Sequence, residues 1–364
     1  MKSSLDPWSV SGKINYEKLV KEFGINPMPK LPQKFLKHLL FRRKKIFAQR
    51  DFEKILKAKK FVMMTGLMPS GKFHLGHKIV TEQIIFYQKL GAKVYVAVAD
   101  IEAYNTRNPD LQELNKIALE EYLTNYIAIG LKPKNCDFYF QSSRSKDSKK
   151  SNAYYSLVGL AARHATFNEF KAVYGNISPA KMMSSLFQTS DMLHPQLKEF
   201  EGPIPVVVPV GIDQDPHLRI ARDISQRIKV NNFLQLSSTY HKFLPGLDTG
   251  KMSSSNPNSY IALTDSAKEV EIKIKKYAFS GGQPTVKEHK EKGGNPDIDI
   301  SYQYLTFFEE NDKKLEKIYN DYKSGKLLTS ELKELAIKKI NSFLKQHQQK
   351  KEKARKQLHK FTQF

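Results

Sequence analysis

The stretch from residue 60 to residue 100 constrains the fold most strongly, because it alternates two buried strands with a helix. KFVMMTG is a short apolar run that ends at Gly66, and LGHKIVTEQIIFYQKLG has helical spacing that ends at Gly91. KVYVAVAD follows as a continuous apolar run of buried-strand length. Strand, helix and strand in this order form a βαβ unit. Such units build parallel sheets that bind ligands at the carboxyl ends of their strands.

The whole chain divides into three predicted regions. Residues 1–60, with the Pro-rich segment GINPMPKLPQK, are interpreted as an N-terminal appendage. Residues 61–263 form a Rossmann-like catalytic domain, in which a helical insertion at about 105–200 precedes a second strand and helix in PIPVVVPVGIDQDPHLRIARD. Residues 264–364 have helical spacing almost throughout. We therefore predict an α/β fold, a Rossmann-like parallel-sheet nucleotide-binding domain with a helical insertion, followed by an all-helical C-terminal domain.

The charge of the chain favours a polyanionic partner. Lys and Arg number 60 against 37 Asp and Glu, for a formal net charge of +23. Nucleic acid is the first candidate, and lysines that only solvate the surface are the alternative.

Cys136 is the only cysteine, which excludes an intrachain disulfide and a cysteine-rich zinc site. No signal peptide or membrane-spanning run is evident, so we expect a cytoplasmic protein that does not enter membranes.

The segment MMTGLMPSGKFHLGH begins like a phosphate-binding P-loop and then departs from one. Phe73 stands where a P-loop has the Ser or Thr whose hydroxyl ligates Mg²⁺. His74 and His77 follow, three residues apart at the start of a helix, so both project from one face. A helix N-terminus attracts anions, and Gly76 lets a base or a phosphate approach the backbone closely. The segment therefore indicates a nucleotide site of another kind. A zinc site is the less favoured alternative, because two histidines alone lack the third ligand that zinc needs.

Two further segments suit the same nucleotide. LDTGKMSSSNP places Lys251 in a Gly- and Ser-rich stretch that indicates a mobile loop. A lysine there can reach a triphosphate as a point charge, with Ser253, Ser254 and Ser255 adding hydroxyl and backbone donors. In GIDQDPHLRIARD, Asp213 follows the end of a predicted strand, where an acidic residue suits ribose hydroxyls.

PSGKFHLGH and KMSSS together resemble the His-x-Gly-His and Lys-Met-Ser-x-Ser signatures of the class I aminoacyl-tRNA synthetases. That family holds ATP with a helix N-terminus and a lysine loop, so it needs no P-loop hydroxyl. GIDQDPHLRIARD, HATFNEFK, FAQRDFEKIL and YAFSGGQPTVKEHKEKGGNPDIDISYQYLTFF are similar to its tryptophanyl branch in the archaeal and eukaryotic form. The resemblance runs from about residue 35 to the C-terminus. Tyrosyl enzymes share the fold but usually lack Asp-Gln-Asp-Pro, so a tyrosine–tRNA ligase is the alternative.

The resemblance implies roles for particular residues of this chain. Catalytic roles fall to His74, His77, Lys251, Ser253 and Ser254. ATP is also contacted by Gly66, Ser70, Gly76, Gly211, Asp213, Met252 and Ser255, and the amino acid by Met64, Glu102, Gln188 and Gln214. Relatives commonly have Tyr and Gln, which accept the indole N–H hydrogen bond, where this chain has Met64 and Ala97. Three alternatives are open for the indole N–H: another side chain accepts it, with Gln188 and Asp191 of QTSDML as candidates, a bound water accepts it, or the pocket selects mainly by shape.

The resemblance implies a ligase that joins L-tryptophan to tRNA(Trp) through a tryptophanyl-adenylate. Mg²⁺ would arrive with ATP, because no dedicated metal cage is visible, and a homodimer is implied. The helical region after residue 264 would read the anticodon. Within it, FSGG and GGNPDID are expected to serve tRNA, and the lysines of KKEKARK to matter little. A small nucleotidyltransferase and a catalytically idle RNA-binding protein are the rival interpretations.

Overall fold

The computed structural model describes residues 5–6, 9–10, 16–106, 110–250, 252 and 256–362. Its strands are β1 Leu5–Asp6, β2 Ser9–Val10, β3 Asn26–Pro27, β4 Ile46–Arg50, β5 Val62–Leu67, β6 Lys93–Val98, β7 Cys136–Phe140, β8 Val206–Gly211 and β9 Ser237–His241. Its helices are α1 Tyr16–Glu22, α2 Gln33–Leu36, α3 Leu39–Arg42, α4 Phe52–Lys57, α5 Leu75–Lys89, α6 Asp100–Thr106, α7 Leu111–Ile117, α8 Thr124–Ile129, α9 Ser148–Arg163, α10 Phe167–Tyr174, α11 Pro179–Leu193, α12 Asp215–Arg227, α13 Ala267–Tyr277, α14 Val286–Lys292, α15 Ile300–Phe308, α16 Asp312–Lys323 and α17 Thr329–Arg355.

A seven-stranded sheet in the order β3-β4-β9-β8-β5-β6-β7 forms the centre of the molecule. The five strands from β9 to β7 are parallel to one another. Strand β5 lies between β6 and β8, so the chain reverses its direction of travel across the sheet at this point. In doubly wound folds such a reversal opens a crevice at the carboxyl ends of the two strands, and that crevice is the usual ligand site. The predicted Rossmann-like α/β fold is confirmed.

Two strands within residues 26–50 extend this sheet. Strand β4 pairs antiparallel with β9, and β3 pairs antiparallel with β4 at the edge. Sequence analysis did not predict these strands, nor β7 and β9, because CDFYF and SSTYH lack the apolar runs of β5, β6 and β8. Pairing with a neighbouring strand supplies the order that the local sequence does not specify.

Helices cover both faces of the sheet, which explains why its central strands are apolar without interruption. Successive side chains on a strand point to opposite faces. Met63 on β5 therefore joins the core beneath α5, and Met64 joins the core beneath α9, α11 and α12. The C-terminal helix α17 packs on α8, α13 and α15 and buries Ile340 and Leu344 in the α5-side core.

A π-helical turn, Ala118–Leu123, interrupts the helix between α7 and α8. Such turns insert one extra residue into a helix and are frequent at functional sites. This one directs Glu121 and Tyr122 toward the loop that joins β5 to α5.

Candidate active site

A cavity of about 950 Å³ opens at the reversal point between β5 and β8. Its walls come from the ends of these strands, the first turn of α5, and the helices α6 and α11. Every described residue that sequence analysis assigns to ATP or the amino acid lines it: Met64, Gly66, Ser70, His74, Gly76, His77, Glu102, Gln188, Gly211, Asp213, Gln214 and Met252. Lys251, Ser253, Ser254 and Ser255 lie outside the described residues. The topology thus brings together residues from distant parts of the chain.

The two signature histidines cap the N-terminus of α5 in a reciprocal arrangement. His74 Nδ1 accepts from the backbone N–H of Gly76 at 3.1 Å, and His77 Nδ1 accepts from the backbone N–H of His74 at 3.2 Å. The rings stack with centroids 3.8 Å apart. Because each Nδ1 accepts, each neutral imidazole carries its proton on Nε2. Nε2–H is then the donor that a phosphate oxygen would use, beside the positive end of the helix dipole.

Gly76 is required by the space around it. A Cβ at this position would lie 2.9 Å from His74 Cε1 and 3.6 Å from Met252 Sδ. A side chain here would displace the His74 ring, so the capping arrangement depends on glycine at the second position of α5.

The loop before His74 is fixed by two neighbouring segments. The His74–Ala262 pair forms an antiparallel bridge, and Leu75 N–H donates to the Ile261 carbonyl at 3.0 Å. From the other side, Tyr122 Oη donates to the Ser70 carbonyl at 2.9 Å. The signature turn is therefore braced by the segment that follows the lysine loop and by the π-helical turn.

The end of β8 supplies an acidic group at the cavity floor. Asp213 lies in the tight turn Ile212–Gln214 and is buried. At Gly211, a Cβ would lie 2.5 Å from both Asp213 Oδ1 and Phe243 Cε1. Glycine thus leaves the room that this carboxylate occupies, at the strand end where ribose hydroxyls bind in doubly wound folds.

Glu102 and Gln188 form the opposite end of the cavity. Gln188 Nε2, from α11, donates to Glu102 Oε2, from α6, at 2.6 Å. The Glu102 carboxylate is buried, and such a charge requires hydrogen-bonding or cationic partners. An ammonium group is a suitable partner of this kind.

Asp191 is the centre of a buried network that the assignment of site residues did not include. Its Oδ1 accepts from Tyr139 Oη and Tyr154 Oη, both at 2.7 Å, and its Oδ2 accepts from Gln141 Nε2 at 2.7 Å. Burial raises the pKa of Asp191 to about 6 despite these donors. Asp191, which sequence analysis named only as a candidate indole acceptor, lines the cavity and lies one helical turn after Gln188.

His217 is a second cavity residue that sequence analysis quoted only within a motif. Burial lowers the pKa of His217 to about 3, so its imidazole is neutral. Its Nδ1 lies 2.6 Å from Tyr174 Oη, which also lies 2.8 Å from Ser185 Oγ. The contact joins α10, α11 and α12, and no local sequence pattern indicates it.

Met64 and Ala97 lie in the sheet beneath the amino-acid end. Both are buried in the core on the α11 side, and Met64 also lines the cavity. Neither side chain has an ordinary hydrogen-bond acceptor, since a thioether accepts only weakly. The one carboxylate of α11, Asp191, also lines the cavity.

Comparison with known proteins places this geometry in a family. The profile of class I tRNA synthetases for tryptophan and tyrosine matches residues 56–345. The tryptophan–tRNA ligase of Hyperthermus butylicus is 43% identical, over 99% of this chain and 98% of its own length. That of Methanocaldococcus jannaschii is 41% identical, over 96% of both. The chain belongs to the tryptophanyl branch of the class I tRNA synthetases. The family predicted from the paired signatures is confirmed, and the tyrosyl alternative is not favoured.

Solved structures agree with this membership of the tryptophanyl branch. The tryptophanyl-tRNA synthetase of Aeropyrum pernix superposes with a TM-score of 0.89 at 42% identity, covering 96% of this chain and 97% of its own. The enzyme of Plasmodium falciparum gives a TM-score of 0.83 at 31% identity, covering 96% and 95%.

Family membership implies an ATP-dependent aminoacyl-tRNA synthetase. Within the described ranges, no helix is long and apolar enough to cross a membrane. Over the same ranges, no three His, Cys, Asp or Glu side chains are grouped so that they could hold a metal ion.

Proposed function

We propose that the chain joins L-tryptophan to tRNA(Trp) in this cavity, in two steps that consume ATP. One observation carries the proposal: a single cavity at the sheet's reversal point has an anion-binding helix N-terminus at one end and the Glu102 carboxylate at the other. ATP and an amino acid present the complementary charges. Tryptophan is supported over tyrosine by relatives above 40% identity that are named tryptophan–tRNA ligases along almost their whole length.

At the nucleotide end, the chain positions the triphosphate and neutralises its charge. The tryptophan carboxylate attacks the α-phosphorus in line, a P–O bond forms, and the bond to pyrophosphate breaks. His74 and His77 donate from Nε2 to phosphate oxygens, and Lys251 with Ser253 to Ser255 approaches the phosphates from the lysine loop. These donors are positioned before the reaction begins, so they stabilise the negative charge that develops on the leaving pyrophosphate. Asp213 receives the ribose hydroxyls.

At the amino-acid end, Glu102 pairs with the tryptophan ammonium, and Gln188 and Gln214 orient the carboxylate. Asp191 accepts the indole N–H, because Met64 and Ala97 cannot. The two tyrosines and Gln141 that donate to Asp191 hold its carboxylate in place and leave one lone pair, on Oδ2, for a fourth donor. In the second step a terminal ribose hydroxyl of tRNA takes the acyl group and AMP leaves.

Mg²⁺ fits the site as a companion of the triphosphate. The nucleotide end provides imidazole and backbone N–H donors, whereas Mg²⁺ prefers oxygen ligands and keeps most of its waters. The ion would therefore be bound by phosphate oxygens and water and would neutralise phosphate charge. A homodimer is also part of the proposal, by analogy with the tryptophanyl branch. A cytoplasmic location is proposed as well, because a chain with one cysteine suits a reducing compartment.

Pyrophosphate exchange into ATP tests the proposal. We expect exchange that depends on tryptophan, with tyrosine at least about a hundredfold poorer, because a phenol hydroxyl would lack its partners in an indole pocket. Preference for tyrosine would overturn the amino-acid assignment. Exchange without any amino acid would favour a small nucleotidyltransferase, and RNA binding with no exchange would favour the idle binder.

A further inference from the structure

Phe73, the residue directly before the signature turn, has both of its backbone polar groups fixed by residues distant in sequence. Its N–H donates to Glu121 Oε1 at 3.2 Å, and its carbonyl accepts from the N–H of Leu263 at 2.9 Å. Glu121 belongs to the π-helical turn, and Leu263 to the segment that follows the lysine loop. The Phe73 ring is completely buried beside Tyr122 at a centroid distance of 5.4 Å. The position of this one residue thus sets where α5 begins.

The C-terminal helix α17 holds both partners of Phe73. Lys351 Nζ lies 3.0 Å from Glu121 Oε2. Gln348 Nε2 donates to the Leu263 carbonyl at 3.0 Å and to the Asp265 carbonyl at 3.1 Å. Lys351 and Gln348 are three residues apart, so they share one face of α17. Side chains of the last long helix therefore contact both residues that hydrogen-bond the Phe73 backbone.

This face of α17 is built into the interior. Lys351 is only 6% exposed, in contrast to the exposed lysines at 350, 353 and 356. His347, one turn earlier, is buried and has Nε2 2.7 Å from Asn125 Oδ1. Sequence analysis expected the lysines of KKEKARK to matter little, but Lys351 differs from the others in its burial and its ion pair with Glu121. The Lys351 side chain is 7% exposed and that of Glu121 is 22% exposed, so removing Lys351 takes the cationic partner from a largely shielded carboxylate and disturbs the local arrangement.

We propose that α17 positions the ATP site, with Lys351 and Gln348 fixing Phe73 and, through it, the orientation of the His74 and His77 imidazoles. The inference rests on the proposed function, and it assigns these two α17 side chains as positioning residues that touch neither ATP nor tryptophan. It also links the C-terminal helical region to the nucleotide end of the cavity. An RNA that shifts α17 changes the affinity for ATP, and ATP must then change the affinity for that RNA by the same factor.

The test uses the full chain and tryptophan-dependent pyrophosphate exchange. Lys351→Met and Gln348→Ala are compared with Lys353→Met and Gln346→Ala, which change exposed residues of the same helix. We expect the first pair to raise the KM for ATP by about tenfold, within the usual range of coupling between sites, with the KM for tryptophan within about twofold of the unmodified chain. The control pair should leave both constants unchanged. Lys351→Arg, which retains a cation, should restore most of the ATP affinity.

Thermal unfolding and titration of active sites separate positioning from simple loss of fold. Variants with a lower active fraction but an unchanged KM for ATP would assign α17 a structural role and overturn the inference. If Lys351→Met does not fold, the KM for ATP of Gln348→Ala tests the inference by itself. That variant removes no charge and is therefore expected to fold. Absence of tryptophan-dependent exchange in the unmodified chain would instead overturn the proposed function, so the two failures are distinct.

Discussion

The two ends of the cavity are built on different principles. The nucleotide end comes mostly from one continuous segment, residues 66–77, whose backbone and imidazoles are arranged by the start of a single helix. The amino-acid end is assembled from side chains on β5, α6 and α11, with Tyr139 on β7 and Tyr154 on α9 behind them. A site made from one segment can be detected as a sequence motif. A site made from several elements has to be recognised by the contacts that the fold creates.

The same two ends differ in charge. The nucleotide end presents donors, the helix N-terminus and the two imidazoles, and Lys251 is assigned to it from sequence. The amino-acid end holds the buried carboxylates Glu102 and Asp191. The contrast matches the anionic triphosphate at one end and the ammonium and indole N–H at the other. Variants at each end should therefore affect one substrate and leave the other unchanged.

The largest effect is expected from Lys251→Ala at the nucleotide end. Loss of one preorganised charge contact should lower the rate of adenylation by about two to three decades. The KM for tryptophan should change little, because the lysine is assigned to the phosphates and not to the amino acid. Single-turnover formation of adenylate measures the rate. An unchanged rate would show that Lys251 takes no part in adenylation. The nucleotide end would then lose its assigned lysine, and the contrast in charge between the two ends of the cavity would be smaller.

Glu102→Gln at the amino-acid end should produce the opposite pattern. A hydrogen bond to a charged group is worth about 1.5–3 kcal/mol, so the KM for tryptophan should rise roughly 10- to 100-fold. The KM for ATP should stay within about twofold. Exchange kinetics measure both constants, with Glu113→Gln as a control on an exposed glutamate. An equal rise in both constants would contradict the separation of the two ends.

Phe279→Ala tests a residue outside both ends. Its ring is 48% exposed in FSGG, the segment assigned to tRNA. A base stacked on an aromatic ring is worth about 1–3 kcal/mol, so the KM for tRNA in aminoacylation should rise about tenfold. Exchange should be unaffected. Ile272→Ala, at an equally exposed position on α13, is the control. Loss of exchange in a folded Phe279→Ala variant would place this segment in the catalytic site.

The smallest effect is expected from the pH dependence of tryptophan binding. The pKa of Asp191 is raised by burial to about 6, so its ionised form prevails above that pH and its protonated form below it. An indole N–H needs the ionised form as acceptor. The KM for tryptophan should therefore rise by at most about tenfold as the pH falls from about 7 to about 5, because the ionised fraction falls from about nine-tenths to about one-tenth. The KM for ATP should not follow this change.

Asp191→Asn and 1-methyltryptophan sharpen the assignment of the indole acceptor. The variant has no carboxylate to titrate, so its KM for tryptophan should lack the rise below pH 6. The methylated analogue has no indole N–H, and we expect it to be rejected by the unmodified chain. Ready use of the analogue, or the same pH profile in the variant, would show that Asp191 does not contact the indole nitrogen.

The sequence by itself determined the βαβ core and the family. The evidence for both consists of local patterns, namely the two signatures and the apolar runs at β5, β6 and β8. Such patterns can be recognised in the sequence without knowledge of the fold. The short strands β7 and β9, and the strands β3 and β4 within the first 60 residues, were not predictable in this way. They are ordered by pairing with neighbouring strands. The residue assignments implied by the family converge on one cavity wherever the structure describes them, and their roles stay predictions.

Only the tertiary structure decided how distant residues act on one another. The network around Asp191 joins β7, α9 and α11, and the ion pair of Lys351 with Glu121 joins the last long helix to a turn more than two hundred residues earlier. In sequence, Lys351 is one of several similar lysines. Burial and a carboxylate 3.0 Å away distinguish it, and both arise because α17 packs on α8. Such contacts depend on the packing of whole elements, which no short stretch of sequence encodes.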